Sequence, residues 1–269
     1  MSKQRLIRAA KIILLIYILA GLALYFAQDY FFFQGVPLDR NHRYGFSQPH
    51  KELLIPYSTK SSIHIIQFPS QTDTIKGVVL YFHGNKKNIG WYARFAPFFT
   101  KKGYSVWMID YPGYGKSTGK LTEQLLYDWA LQLYKLARKQ YSPDDIIIYG
   151  KSLGTGIAAQ LASIRDCRQL ILETPYYEFR SVLRPYFSAY PLQWMVPYQF
   201  PTYRYLTDVT APITLFHGTG DWLVRYSNSV RLKEEHGQKI DLVTVEGGSH
   251  NDLFGYKLVA EKLEKVLEK

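Results

Sequence analysis

The sequence predicts an α/β fold: a mostly parallel sheet with helices on both faces, a helical insertion, and an N-terminal membrane helix. Three observations carry this expectation. Near-continuous apolar runs recur along the chain, led by GVVLYF at 77–82, as expected of parallel strands buried on both faces. These runs alternate with segments of helical periodicity, the rhythm of a sheet covered on both sides. Ahead of both, Lys3, Arg5, Arg8 and Lys11 precede an uncharged, mostly apolar run at 12–27. The length of 269 residues suits one α/β domain with an appendage.

Residues 1–33 read as a membrane anchor with its flanks. About twenty residues cross a bilayer as a helix. The run at 12–27 is a little short of that, but a snorkelling Lys11 and the group Tyr30-Phe31-Phe32-Phe33 extend it. The positive flank predicts a single-pass protein with a cytoplasmic N-terminus and the rest of the chain on the far side. A cleaved signal peptide, releasing a secreted domain, is the rival reading, and a buried core helix is a third. Gly21-Leu22-Ala23 offers a small-x-small cleavage site, but cutting there leaves Leu24-Tyr25-Phe26 at the new end, so the uncleaved anchor is preferred.

Residues 34–50 are polar and turn-rich and read as a linker or lead-in to a domain at 51–269. Short strands are expected at 52–57 and 61–68 around a Ser58-Thr59-Lys60 turn. Strands at 77–82, 104–109, 146–149, 169–172, 213–216 and 240–245 then alternate with helices. The helices are expected at 89–101, 121–140, 154–164, 226–235 and 254–267, with Leu125, Trp129, Leu133 and Leu136 on one stripe of the second. The segment at about 175–207 breaks the rhythm. It is dense in Tyr and Phe, contains Trp194, and is too long for a simple loop, so it reads as a helical lid over the sheet's C-terminal edge. Its aromatics either line a site or pack the insertion onto the domain.

The formal charge of +11 raises the question of nucleic acid, but no nucleic-acid motif accompanies it, and scattered basic surface is the preferred reading. Cys167 is the single cysteine, so neither an intrachain disulfide nor a Cys/His zinc spacing is available, and a structural role is expected for it.

The chemistry centres on IIIYGKSLGTG at 146–156. Gly150-Lys151-Ser152 looks like the tail of a phosphate-binding P-loop. That loop needs G-x-x-x-x-G-K-[ST], and Asp145 stands at its first position here. Gly115-Lys116-Ser117 fails in the same way, with Asp110 at the first position. The same residues also read G-x-S-x-G, a serine on a sharp turn between strand and helix, with Gly150 and Gly154 leaving room for the turn. Such a serine needs a base and a carboxylate behind the base, in the chain order Ser, acid, His. Asp221 follows the strand at 213–216, and His250 follows the strand at 240–245. Glu173 is the alternative acid. An oxyanion hole would draw on the backbone N–H of Leu153 and on the loop after 77–82, where Asn85 is the best candidate with Gly84 and Lys86 beside it. His83 reads as a brace for that loop.

VVLYFHGN, MIDYPGYGKS, IYGKSLGTG, LFHGTGDWLV and GGSHND appear in this order. Together they resemble the membrane-anchored α/β-hydrolase-domain proteins of the serine aminopeptidase/monoacylglycerol-lipase-like branch, over roughly residues 50–265 plus the hydrophobic N-terminus. The resemblance implies the α/β-hydrolase fold, Ser152, Asp221 and His250 as a catalytic triad, and the oxyanion hole at Asn85 and Leu153. It makes Asp110 and Gly113–Gly115 a structural turn. The expected activity is a serine hydrolase cleaving an ester, thioester or amide of a small acyl substrate through an acyl-enzyme, with no metal or organic cofactor. Anchor and aromatic lid favour a lipid-like or acylated substrate. A non-catalytic binding protein of the same fold and an acyltransferase are the rival functions. Lys151 is expected to be an exposed neighbour of the serine or a substrate contact.

Overall fold

The computed structural model describes residues 2–268. Helix α1 (Lys3–Phe32) leads into β1 (Gln34–Gly35) and the hairpin of β2 (Lys51–Ser58) and β3 (Ser61–Phe68). From β4 (Gly77–Phe82) the chain passes β5 (Lys86–Lys87), α2 (Ile89–Tyr92) and α3 (Pro97–Thr100) to β6 (Tyr104–Asp110). Helix α4 (Glu123–Ala137) precedes β7 (Ile146–Lys151), and α5 (Leu153–Ile164) precedes β8 (Gln169–Glu173). Helices α6 (Phe179–Phe187), α7 (Leu192–Met195) and α8 (Thr202–Asp208) lie between β8 and β9 (Ile213–Gly218). Helix α9 (Ser227–His236), β10 (Ile240–Val245) and α10 (Lys257–Leu267) complete the chain.

Eight strands form one sheet in the order β10-β9-β8-β7-β4-β6-β3-β2. All its pairings are parallel except those that β3 makes with β2 and β6. Alternation along β4 shows the two buried faces. Val78, Leu80 and Phe82 pack with residues of α4 and α5, whereas Val79 and Tyr81 pack with residues of α2, α3 and α10. This is the α/β-hydrolase architecture, with β7 between β4 and β8 at its centre.

Several observed boundaries differ from the sequence expectation. The helix expected at 89–101 is broken into α2 and α3 by a 3₁₀ turn at Ala93–Phe95, and α3 restarts with Pro97 at its first turn, where a missing N–H costs nothing. The helix expected from 121 starts at Glu123 because the Thr122 hydroxyl accepts the Leu125 N–H and caps it. Its most buried stripe runs through Leu126, Trp129, Leu133 and Ala137, rotated from the one expected. Strand β7 extends through Gly150 and Lys151, which lack apolar side chains but pair in register with Leu172 and Glu173. The polar segment after α1 is tied down at its start. Gln34–Gly35 pairs with Lys86–Lys87, and the Asn88 side chain donates to the Val36 carbonyl at 2.8 Å.

Helix α1 is long and apolar enough to cross a bilayer, at 30 residues or about 45 Å. It is not a core helix. Only Leu24, Gln28 and Phe32 are buried, a single i, i+4 stripe near its C-terminal end. Leu6, Ile12, Leu15, Leu19 and Leu22 stay exposed.

The start of α5 presses against the end of β4. A Cβ on Gly154 would lie 2.1 Å from the Phe82 carbonyl oxygen, and one on Gly150 would lie 2.5 Å from the Gly154 carbonyl oxygen. Neither obstacle is a movable side chain. Gly154→Ala is therefore expected to destabilise the fold by about 3 kcal/mol or more. Gly255→Ala, where a Cβ meets nothing within 4 Å, should stay within about 0.5 kcal/mol of wild type. Chemical denaturation of the detergent-solubilised protein compares the two.

Candidate active site

The site is assembled at the C-terminal ends of the parallel strands, where ligands bind in open α/β sheets. Ser152 is the residue at which β7 turns into α5. Its backbone is left-handed (φ 50°, ψ −116°), a conformation that costs a non-glycine residue on the order of 1–3 kcal/mol. Local bonds hold it there. The Ser152 N–H donates to the Glu173 carbonyl at 2.9 Å, and the Thr155 N–H donates to the Ser152 carbonyl at 2.9 Å.

His250 and Asp221 converge on this serine from the loops after β10 and β9. His250 Nε2 lies 2.9 Å from Ser152 Oγ, and His250 Nδ1 lies 2.7 Å from Asp221 Oδ2. Burial pushes the Asp221 carboxyl up, but hydrogen bonds from His217 and His250 outweigh it and hold the group well below the usual carboxylate range. The other oxygen, Oδ1, accepts the Leu223 and Val224 N–H groups, each at 2.9 Å. Ser152, Asp221 and His250 are thus brought together. A hydroxyl with a proton acceptor in reach, and an ionised carboxylate behind that acceptor, is an arrangement that can generate an alkoxide-like nucleophile.

His217, directly before Gly218-Thr219-Gly220-Asp221, carries no signal in the sequence that marks it as part of the site. It lies buried, 3.4 Å from Asp221 Oδ2, and is fixed by the Val224 carbonyl and the Ser229 hydroxyl. It braces the acid that faces His250.

Asn85 and Leu153 line the same cavity as Ser152, which measures about 220 Å³. The Asn85 residue is held from three sides. Its side-chain amide donates to the Phe32 carbonyl at 3.0 Å, and its carbonyl accepts from the Gln34 N–H and the Tyr114 hydroxyl. Phe31 and Phe32 of α1, Phe179, Val182, Leu183 and Tyr186 of α6, and Tyr176 make most of the wall. The aromatics of 175–207 therefore divide: Tyr176 and Phe179 line the cavity, whereas Phe200 packs beside Gly156 of α5. Below the Asn85 loop, buried Asp110 accepts the Ile89 N–H at 2.9 Å and contacts His64 and His83. Burial raises its carboxyl, and the hydrogen bonds of the two histidines outweigh this and lower it. Among the described residues, no three His, Cys, Asp or Glu side chains are grouped to hold a metal ion.

Lys151 differs from expectation. It is 2% exposed and can be neither a surface neighbour nor a ready substrate contact. It ion-pairs with Glu173, its cross-strand partner in the β7–β8 register, and donates to the His250 carbonyl at 3.1 Å. Tyr149 donates its hydroxyl to the other Glu173 oxygen at 2.6 Å. Both oxygens of the alternative acid are thus engaged away from the His250 ring, and the pair instead holds the main chain of the His250 loop. Lys151→Met leaves the Glu173 charge buried without its cation and should cost about 3–5 kcal/mol in chemical denaturation. The double variant Lys151→Met/Glu173→Gln is expected to recover much of that loss.

Comparison with known proteins agrees with this architecture. The family described as serine aminopeptidase, S33, matches residues 73–207, which include the Asn85 loop and Ser152 and end before Asp221 and His250. Alpha/beta hydrolase domain-containing protein 17C of Xenopus tropicalis is 31% identical over 192 residues, covering 70% of this chain and 61% of that protein. Alpha/beta hydrolase domain-containing protein 17B of Homo sapiens is 27% identical over 219 residues, covering 80% of this chain and 75% of that protein. The chain thus spans less than two thirds of the length of its 17C relative. An esterase of Pyrococcus furiosus superposes with a TM-score of 0.68 at 17% identity, over 88% of this chain and 97% of the other. A soluble variant of monoglyceride lipase from Saccharomyces cerevisiae gives 0.63 at 15% identity, over 86% and 98%. The match over half the chain, running through the elbow at Ser152, makes this protein a member of the serine aminopeptidase S33 family of α/β hydrolases.

Proposed function

We propose that the protein is a serine hydrolase that cleaves an acyl bond, an ester, thioester or amide, through a covalent acyl-enzyme. The observation that carries this reading is the hydrogen-bonded series Ser152–His250–Asp221, at 2.9 and 2.7 Å, opening into an apolar cavity. Ser152 Oγ attacks the substrate carbonyl while His250 Nε2 takes its proton. Asp221 stabilises the imidazolium. The backbone N–H groups of Leu153 and Asn85 receive the oxyanion, an interaction worth roughly 3–4 kcal/mol per donor in the transition state. His250 protonates the leaving group, then activates water, and the acid leaves. Leu183, Val182, Phe179 and the two α1 phenylalanines favour an apolar acyl group over a charged one.

In this reading α1 is an uncleaved anchor, with Lys3, Arg5, Arg8 and Lys11 on the cytoplasmic side and the catalytic domain on the far side. The packing of α1 supports retention. Gly21, in the small-x-small stretch, lies against the ring of Tyr190: a Cβ there would lie 3.0 Å from Tyr190 Cε1.

A fluorophosphonate probe is expected to label the protein, and Ser152→Ala to abolish labelling; persistent labelling would remove Ser152 from the nucleophile's role. Asp221→Asn should lower kcat by roughly 10⁴-fold. Near-normal turnover in that variant, with loss in Glu173→Gln, would transfer the acid's role to Glu173.

A further inference from the structure

Helix α1 meets the helical segment at 175–207 over its C-terminal half. The Tyr17 and Tyr190 rings stack at 4.6 Å with 3° between their planes. Tyr17 donates its hydroxyl to the Ala189 carbonyl at 2.8 Å, and Tyr190 returns a hydrogen bond to the Tyr17 carbonyl at 3.0 Å. Nearer the cavity, Gln28 donates to the Met195 carbonyl at 3.2 Å, and Tyr198 donates to Asp29 at 2.8 Å. From Tyr17 to Asp29 these contacts cover about 18 Å of helix at 1.5 Å per residue. The bilayer's hydrocarbon core is about 30 Å thick. An α1 that crosses with its apolar run at 12–27 therefore carries Tyr190 to membrane depth, because Tyr17 and Gly21 both belong to that run.

The composition of the segment fits that depth. Residues 185–203 contain no Asp, Glu, Lys, Arg or His, in a chain that is 20% charged, and Arg184 and Arg204 flank them. Pro185, Pro191, Pro197 and Pro201 each remove a backbone donor that lipid could not satisfy. The turn between α6 and α7 and the start of α7 satisfy others internally, with the Tyr190 N–H on the Phe187 carbonyl and the Trp194 N–H on the Pro191 carbonyl. Trp194 is 80% exposed, and Tyr186 and Trp222 are also exposed, the residue types that settle at membrane interfaces.

We propose that the tip of this segment enters the bilayer beside α1, so that the cavity above Ser152 takes a long acyl chain directly from a membrane-resident substrate. The last turn of α1 is then part of the binding site, since Phe31 and Phe32 wall the cavity and the Phe32 carbonyl holds Asn85. The chemistry rests on the hydrolase reading above; the membrane contact rests only on α1 as a bilayer-crossing anchor.

The test uses full-length protein in phosphatidylcholine vesicles. Trp194→Cys is labelled with an environment-sensitive fluorophore and compared with Lys60→Cys at the β2–β3 turn. Cys167 is buried, with its thiol pushed up to about 12 by burial, and stays unlabelled. Lipid-borne doxyl quenchers should quench the probe at 194 and spare the one at 60, with aqueous iodide giving the reverse. Equal iodide quenching at both positions overturns the proposal, and the measurement holds equally in a Ser152→Ala background. Trp194→Asp, outside the cavity wall, should reduce turnover of a long-chain ester dispersed in the vesicles at least about tenfold while sparing a water-soluble acetate ester. Loss on neither ester, or equal loss on both, also overturns it. Absence of turnover of either ester by the wild type would sink the hydrolase reading and leave the quenching result to judge the membrane contact.

Discussion

Gly154 sits where the first turn of α5 meets the last residue of β4, with space for a hydrogen and nothing larger. That contact brings three features into one place. It lets the chain reverse sharply enough to hold Ser152 in a left-handed conformation. It sets the start of α5 beside the sheet edge, so that Leu153 shares a cavity with Asn85. It also fixes Ser152 between the ends of β4 and β8, within reach of a histidine arriving from the far end of the sheet. The strain at Ser152 persists because the Glu173 carbonyl and Thr155 hold its backbone on either side.

Two buried ionic groups brace this arrangement from opposite sides. Asp110, with His64 and His83, lies under the loop that carries Asn85. Lys151 and Glu173 lie under the loop that carries His250. Buried ion pairs contribute little net stability against an apolar replacement, because desolvation offsets their attraction. Their value here is positional: each ties a loop of the candidate site to a central strand through a polar contact with a defined direction.

The proposed serine, acid and base were legible because each combines glycine-rich loop chemistry with an apolar strand just before it. The order of the strands, however, is a property of pairing. Nothing in the local sequence sets Lys151 opposite Glu173, so a lysine beside the serine read as surface. The break at Pro97 and the cap at Thr122 were visible as residues, but helical periodicity ran through them and hid their effect. The placement of Phe31 and Phe32 was the least legible feature. They close an apolar run that reads only as a membrane anchor, and their contact with α6 spans well over a hundred residues of chain.

The central claim, that Ser152 carries the acyl group during turnover, is tested most directly by trapping that intermediate. Acid quenching during turnover of a slowly released ester, followed by peptide mass spectrometry, is predicted to find the acyl mass on Ser152. An acyl mass on another residue, or steady turnover with no covalent adduct in either the wild type or the slow Asp221→Asn variant, would contradict the account.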